Sequence, residues 1–248
     1  MKFSDKSFSY DGTFEGFLCA VVRCISMRIV PRDIKAVGAI HALPDDYLFV
    51  RTDRSVADRM YRYIGSCSSV NVQQLALDCF LTGLPCREKD LYILICRAIR
   101  FGAPVGEDYS NPVMQRIHNA VRELYREAQS IMCDLAFERE GRLAVADICP
   151  KNRVLPIMRL KVLDDPALQD FLVYDDRHKM LFMRSGQVDR IVDISCVDLS
   201  AEEQSAASRA ERYRRLWTYF SRGEHIKSMD KLDYKGADRL SPMWYMAV

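Results

Sequence analysis

Two basic stretches carry the residue types that could meet a phosphate chain. Lys151, Arg153, Arg159 and Lys161 place four positive charges, and no acid, between residues 151 and 161. They follow Cys149-Pro150 and fall on a loop and a short helix, where free N–H groups beside cations suit a phosphate. The second stretch sets Arg209, Arg212, Arg214, Arg215 and Arg222 around Leu216-Trp217-Thr218-Tyr219-Phe220. Cations interleaved with aromatic rings can hold a nucleic-acid backbone and stack a base. Both have a plainer reading, as a solvated helix face for the arginines and a docking face for the aromatics.

Catalytic chemistry is thinner. Asp11 and Asp147 are the carboxylates to test first, and Asp11 also has an ordinary role in turn and cap chemistry. The pairs Asp45-Asp46, Asp164-Asp165 and Asp175-Asp176 sit in turns, where adjacent acids are solvated. There is no Gly-x-Ser-x-Gly elbow, and no phosphate-cradling glycine loop follows a strand. The nine cysteines lack the close pairing of a zinc site or the run of an iron–sulfur cluster. Their apolar neighbours make them core residues of a reducing compartment. His41, His118, His178 and His225 share no ligand spacing. No metal and no cofactor is implied within the chain.

The elements that must position these residues are legible from periodicity. Phe8 to Tyr10 reads as a strand running into the Asp11-Gly12 turn, with Thr13 as helix cap. Behind it Phe14, Phe17, Leu18, Val21, Val22 and Ile25 repeat at helical spacing. Met27 to Ala42 reads as a connector holding a short helix ended near Pro44, and Tyr47 to Arg51 as a second strand, followed by a helix capped by Asp53 with Val56, Met60 and Ile64 behind it. Helices then follow from Ser69 or Asn71 to Gly83, from Glu88 to Phe101, and from Pro112, the longest, to Ile131.

From Cys133 the pattern changes. Strands Leu135–Arg139 and Leu143–Ile148 flank Glu140-Gly141, a hairpin signal. A short helix fits Val154 to Leu163 if Pro156 lies in its first turn. Strands at Phe171–Tyr174, Met180–Arg184 and Val188–Ile194 complete a β-β-α-β-β-β order, expected as an antiparallel meander, before a charged helix from Ala201 to Ser221. The fold class is therefore α+β. The expected division is 1–132, mixed and mainly helical, and 133–248, sheet with C-terminal helix and tail.

At 248 residues, 49% hydrophobic and 28% charged, the composition is globular. A formal net charge of +2 is too small to argue for nucleic acid without a local patch. The first residues lack the apolar core of a signal peptide and no run reaches membrane-spanning length, so a cytoplasmic protein without a membrane partner is expected.

Three stretches together resemble a known family. Tyr10-Asp11-Gly12-Thr13-Phe14-Glu15-Gly16-Phe17-Leu18 is similar to the opening of a bacterial family of probable DNA metabolism proteins. Asn152-Arg153-Val154-Leu155-Pro156 is similar to its Asn-x-Val-Leu-Pro segment. Tyr213 to Phe220 resembles its Leu-Trp-x-x-Tyr-Phe helix, with one residue fewer between Trp217 and Tyr219. The family's basic tail is replaced by Ser241-Pro242-Met243-Trp244.

Members of that family are encoded beside a DNA modification or repair radical S-adenosylmethionine protein, or carry the domain fused to a uracil-DNA-glycosylase-like domain. The resemblance implies a DNA-processing accessory that binds DNA and presents it to that radical enzyme, which would hold the cluster and S-adenosylmethionine. Two alternatives stay open: a glycosylase-like or other base-processing enzyme using Asp11 or Asp147, and a protein–protein adaptor without nucleic-acid contact.

Overall fold

The computed structural model describes residues 2–37, 46–163, 169–186, 188–194, 211 and 213–218. Contacts divide the chain into two units, Met1–Leu124 and Tyr125–Val248.

The first unit opens with β1 (Lys2–Phe3), β2 (Ser7–Tyr10) and α1 (Phe14–Ser26), followed by β3 (Ile29–Val30), β4 (Asp33–Ala36) and β5 (Tyr47–Phe49). Sheet order is β4-β2-β5 with both pairings parallel, so β2 is the central strand. All four residues of β2 are buried, as a central strand of a parallel sheet requires, even though Ser7, Phe8, Ser9 and Tyr10 alternate in polarity. A separate parallel pair joins β1 to β3. The described part of the expected connector is thus two short strands, not a helix. Their identity depends on distant partners, since neither is long enough to show a period of its own.

Three helices follow, α2 (Arg54–Cys67), α3 (Val70–Leu81) and α4 (Arg87–Phe101), then a 3-10 turn over Ala103–Glu107 and the long α5 (Pro112–Asp134), whose last residues belong to the second unit. Their caps are local chemistry. Thr13 accepts the Gly16 N–H, Asp53 those of Ser55 and Val56, and Ser69 that of Val72. The core of this unit is aromatic. Phe14 and Phe80 lie 5.1 Å apart by ring centroid, and Phe17 packs against both Phe80 and Tyr10. Truncating Phe17, fully buried here, would cost about 3–5 kcal/mol. Along α5 the buried stripe is Met114, Ile117, Val121, Leu124 and Ala128.

The second unit holds β6 (Glu138–Glu140), β7 (Leu143–Ile148), α6 (Leu155–Leu163), β8 (Asp170–Asp175), β9 (Met180–Ser185) and β10 (Val188–Asp193). The strand order is β10-β9-β8-β7-β6. Element order follows the sequence pattern, but the sheet is mixed and not an antiparallel meander, because β7 and β8 pair in parallel. The cause is α6. A crossover through a helix returns the chain to the same end of the sheet, while a short turn reverses it.

Alternation sorts the side chains of this sheet onto two faces. Val145, Leu172, Tyr174, Leu181, Met183, Val192 and Ile194 form one, and they bury Tyr213 and Leu216 of the helical segment 213–218. Phe171 and Phe182, 5.0 Å apart, belong to the other. Gly141 and Gly186 hold positive φ at the ends of β-hairpins, which suits their lack of a Cβ.

Candidate nucleic-acid interface

The segment 213–218 presents its residues by helical period. Tyr213 and Leu216 point into the sheet core and Trp217 packs partly against it, leaving Arg214 and Arg215 outward. Both arginines meet one acid: Arg214 Nη1 is 2.6 Å from Glu211 Oε2, and Arg215 Nε is 3.2 Å from Glu211 Oε1. These pairs are open to solvent, with the arginine side chains 70% and 71% exposed. Such contacts exchange readily for a better anion.

A cleft of about 450 Å³ opens beside this segment. It is lined by Gly141, Arg142 and Leu143 of the β6–β7 hairpin, by Asp170 at the start of β8, and by Tyr213, Arg214 and Trp217. Arg142 is exposed and makes no ion pair among the described residues. Asp170 Oδ1 accepts the Gly186 N–H at 3.1 Å. Arg142, Asp170 and Tyr213 were not among the sequence-derived candidates. The Glu140-Gly141 turn signal marked the hairpin, but nothing local places its arginine beside Trp217.

In the other basic stretch the loop backbone and the Arg159 side chain are engaged with the protein itself. Glu127 of α5 accepts the backbone N–H groups of Lys151 and Asn152, and the Asn152 side chain donates to Glu127 Oε2 at 2.7 Å. An internal carboxylate therefore occupies these two backbone donors of the loop that precedes α6. Arg159 Nε lies 2.6 Å from Asp189 Oδ2, with both groups mostly buried. Lys151 is exposed and Arg153 half-buried. The cleft draws on Arg214 and Trp217 and on none of Lys151, Arg153 and Arg159. Arg212, Tyr219 and Arg222, and the side chain of Lys161, lie outside the described residues.

The two carboxylates singled out for catalysis occupy different settings. Asp11 accepts from Thr13 N at 3.0 Å, Thr13 Oγ1 at 2.6 Å and Thr52 Oγ1 at 2.7 Å. It is a turn-and-cap residue that ties the end of β2 to the segment after β5. Nearby, burial pushes the Glu15 carboxyl above its usual range. Asp11 and Asp58 add to that, while its backbone hydrogen bond and Arg54 oppose it. Asp147 is exposed near the end of β7, opposite Tyr174 in the parallel register.

A pairing that sequence reasoning did not weigh lies in the β8–β9 turn. Asp175, expected with Asp176 to be solvated in a turn, is instead fully buried at the end of β8, where it accepts the His178 backbone N–H at 3.0 Å and faces His178 Nδ1 at 2.7 Å. This is a side-chain-closed turn, and it fixes the ring orientation. Next to it Lys179 Nζ is 2.9 Å from Asp176 Oδ1, and that bond holds the ammonium pKa above its ordinary value. Among the described residues no group of three or more His, Cys, Asp and Glu could hold a metal ion. None of the described helices is long and apolar enough to cross a membrane.

These features define a mixed α/β protein whose second unit carries a cleft lined by two arginines, a tryptophan and a carboxylate. A family described as a domain of unknown function, DUF4130, matches residues 85–246, well over half of the chain, and the chain belongs to that family. No curated protein matches the sequence. The matched span contains every residue of the cleft.

Proposed function

We propose that the protein is a DNA-processing accessory that holds a single strand in the cleft of its second unit and presents it to a partner enzyme. One observation carries this reading: Arg142, Arg214 and Trp217 line the same cleft. Two guanidiniums can grip successive phosphates, and an indole in the same cleft offers a face on which any base can stack. The cleft volume, about 450 Å³, is that of a small-molecule pocket and takes one nucleotide at a time. Arg214 would exchange its solvent-exposed pairing with Glu211 for a phosphate, while Arg142 has no such pairing among the described residues.

The choice of DNA and of a radical S-adenosylmethionine partner rests on the resemblance of Tyr10–Leu18, Asn152–Pro156 and Tyr213–Phe220 to DNA metabolism proteins. The test uses Trp217 as its own reporter. The chain has two tryptophans, so a Trp244→Phe background isolates the signal. Titration with a ten-residue oligothymidylate at low salt should quench Trp217 fluorescence. Arg142→Glu combined with Arg214→Glu should weaken binding by at least about tenfold, since hydrogen bonds from a guanidinium to a phosphate are charge-assisted and among the strong ones. Failure to bind single-stranded DNA at low salt, alone and with the partner enzyme added, would sink the reading. Binding confined to RNA would transfer the cleft to a different substrate.

A further inference from the structure

Asp170 is the odd group in a cleft otherwise suited to phosphates. A carboxylate beside Arg142 and Arg214 repels a phosphate chain, yet it forms no ion pair with either arginine among the described residues. Its orientation is set from the protein side. The Gly186 N–H holds Oδ1, and the register pairs Asp170 with Ser185 across β8 and β9. Oδ2 has no hydrogen-bond partner among the described residues. An ionised carboxylate only accepts hydrogen bonds, through two oxygens about 2.2 Å apart with outward lone pairs. Its complement is therefore a pair of adjacent donors.

Among the bases, guanine alone presents two neighbouring donors on its Watson–Crick edge, N1–H and N2–H. Adenine and cytosine offer one amino group beside a ring-nitrogen acceptor. Thymine offers one N–H between two carbonyl oxygens, which a carboxylate repels. We infer that Asp170 is a specificity-determining residue that selects a guanine stacked on Trp217 in a single strand. The inference rests on the single-strand reading above and adds to it the identity of the base.

The experiment measures heptanucleotide affinities by Trp217 fluorescence in the Trp244→Phe background. All-thymidine heptamers are compared with versions carrying guanine, inosine, adenine or cytosine at the centre. Guanine should bind about tenfold or more tighter than thymine, the scale of a good bidentate base contact. Inosine lacks the N2 amino group and should fall between them. Asp170→Asn keeps an oxygen for the Gly186 N–H, so the turn survives. It should erase the guanine preference while leaving thymidine affinity equal or higher, because a repelling charge is gone.

Equal affinity for every central base overturns the inference and leaves the single-strand reading standing. Guanine preference that persists in Asp170→Asn overturns it too. Absence of binding by any heptamer removes both. Guanosine monophosphate should compete only at concentrations at least about tenfold higher, since it supplies one phosphate for two arginines. Equal competition would make a free nucleotide the ligand and overturn the single-strand assignment.

Discussion

Arg142 and Arg214 reach the same cleft by different routes. Arg214, Arg215 and Trp217 are visible in the sequence because cations and aromatics interleave between residues 209 and 222. Arg142 is a lone arginine after a turn glycine, and Asp170 a lone acid before an apolar strand, so neither belongs to a pattern. Arg159 shows the converse. It sits in the denser basic stretch, yet an acid 30 residues away in sequence neutralises it. His118 is a further case where only neighbours decide a side chain's behaviour. Its Nε2 lies 2.7 Å from the Gly106 carbonyl and its ring stacks 4.7 Å from Tyr109. Burial first, with Arg122 adding, lowers its pKa against the opposing pull of the carbonyl. A depressed folded pKa means that the neutral ring contributes stability above the unfolded value of about 6.5, and that contribution fades as pH falls through the folded value. His118→Gln, which can still donate to Gly106, should flatten the stability profile on the acid side of pH 6.5. Denaturation curves at pH 7 and pH 5 that shift equally in both proteins would contradict this.

At the scale of elements, the β2–α1 junction shows how tightly a short motif can be determined. Gly16 is helical, so an alanine there would ordinarily gain about 1 kcal/mol of helix propensity. Here its Cβ would overlap the Asp11 carboxylate and press on Thr52 Oγ1. Asp11 cannot step aside without giving up the Thr13 and Thr52 hydrogen bonds that hold it. Gly16→Ala should therefore destabilise the protein by about 1–3 kcal/mol in urea denaturation, the usual penalty of overpacking. A variant as stable as the parent would mean that the junction yields more easily than its bonding suggests. The caps at Thr13, Asp53 and Ser69 were readable because capping is an interaction within a few residues. The Asp11–Thr52 bond spans 41 residues and was not.

Over the whole molecule the formal net charge is only +2, so long-range steering is weak and binding must draw on the cleft itself. With two guanidiniums engaged, log K against log salt should fall with a slope of about −1.4, taking about −0.7 per phosphate on a single strand. Arg142→Gln should remove about half of that slope, whereas a slope several times steeper would place the binding surface elsewhere. By itself the sequence determined most elements. Helices α1 to α5 and strands β7 to β10 follow from apolar periodicity and caps, which act within one or two turns of chain. The tertiary structure decided what those elements do together. It paired β4 with β2, ran β7 parallel to β8, and brought Arg142 and Asp170 beside Trp217. Strand direction and cleft lining are set by where a crossover returns and which face a helix covers. Those are interactions between residues far apart in sequence, and no local spacing records them.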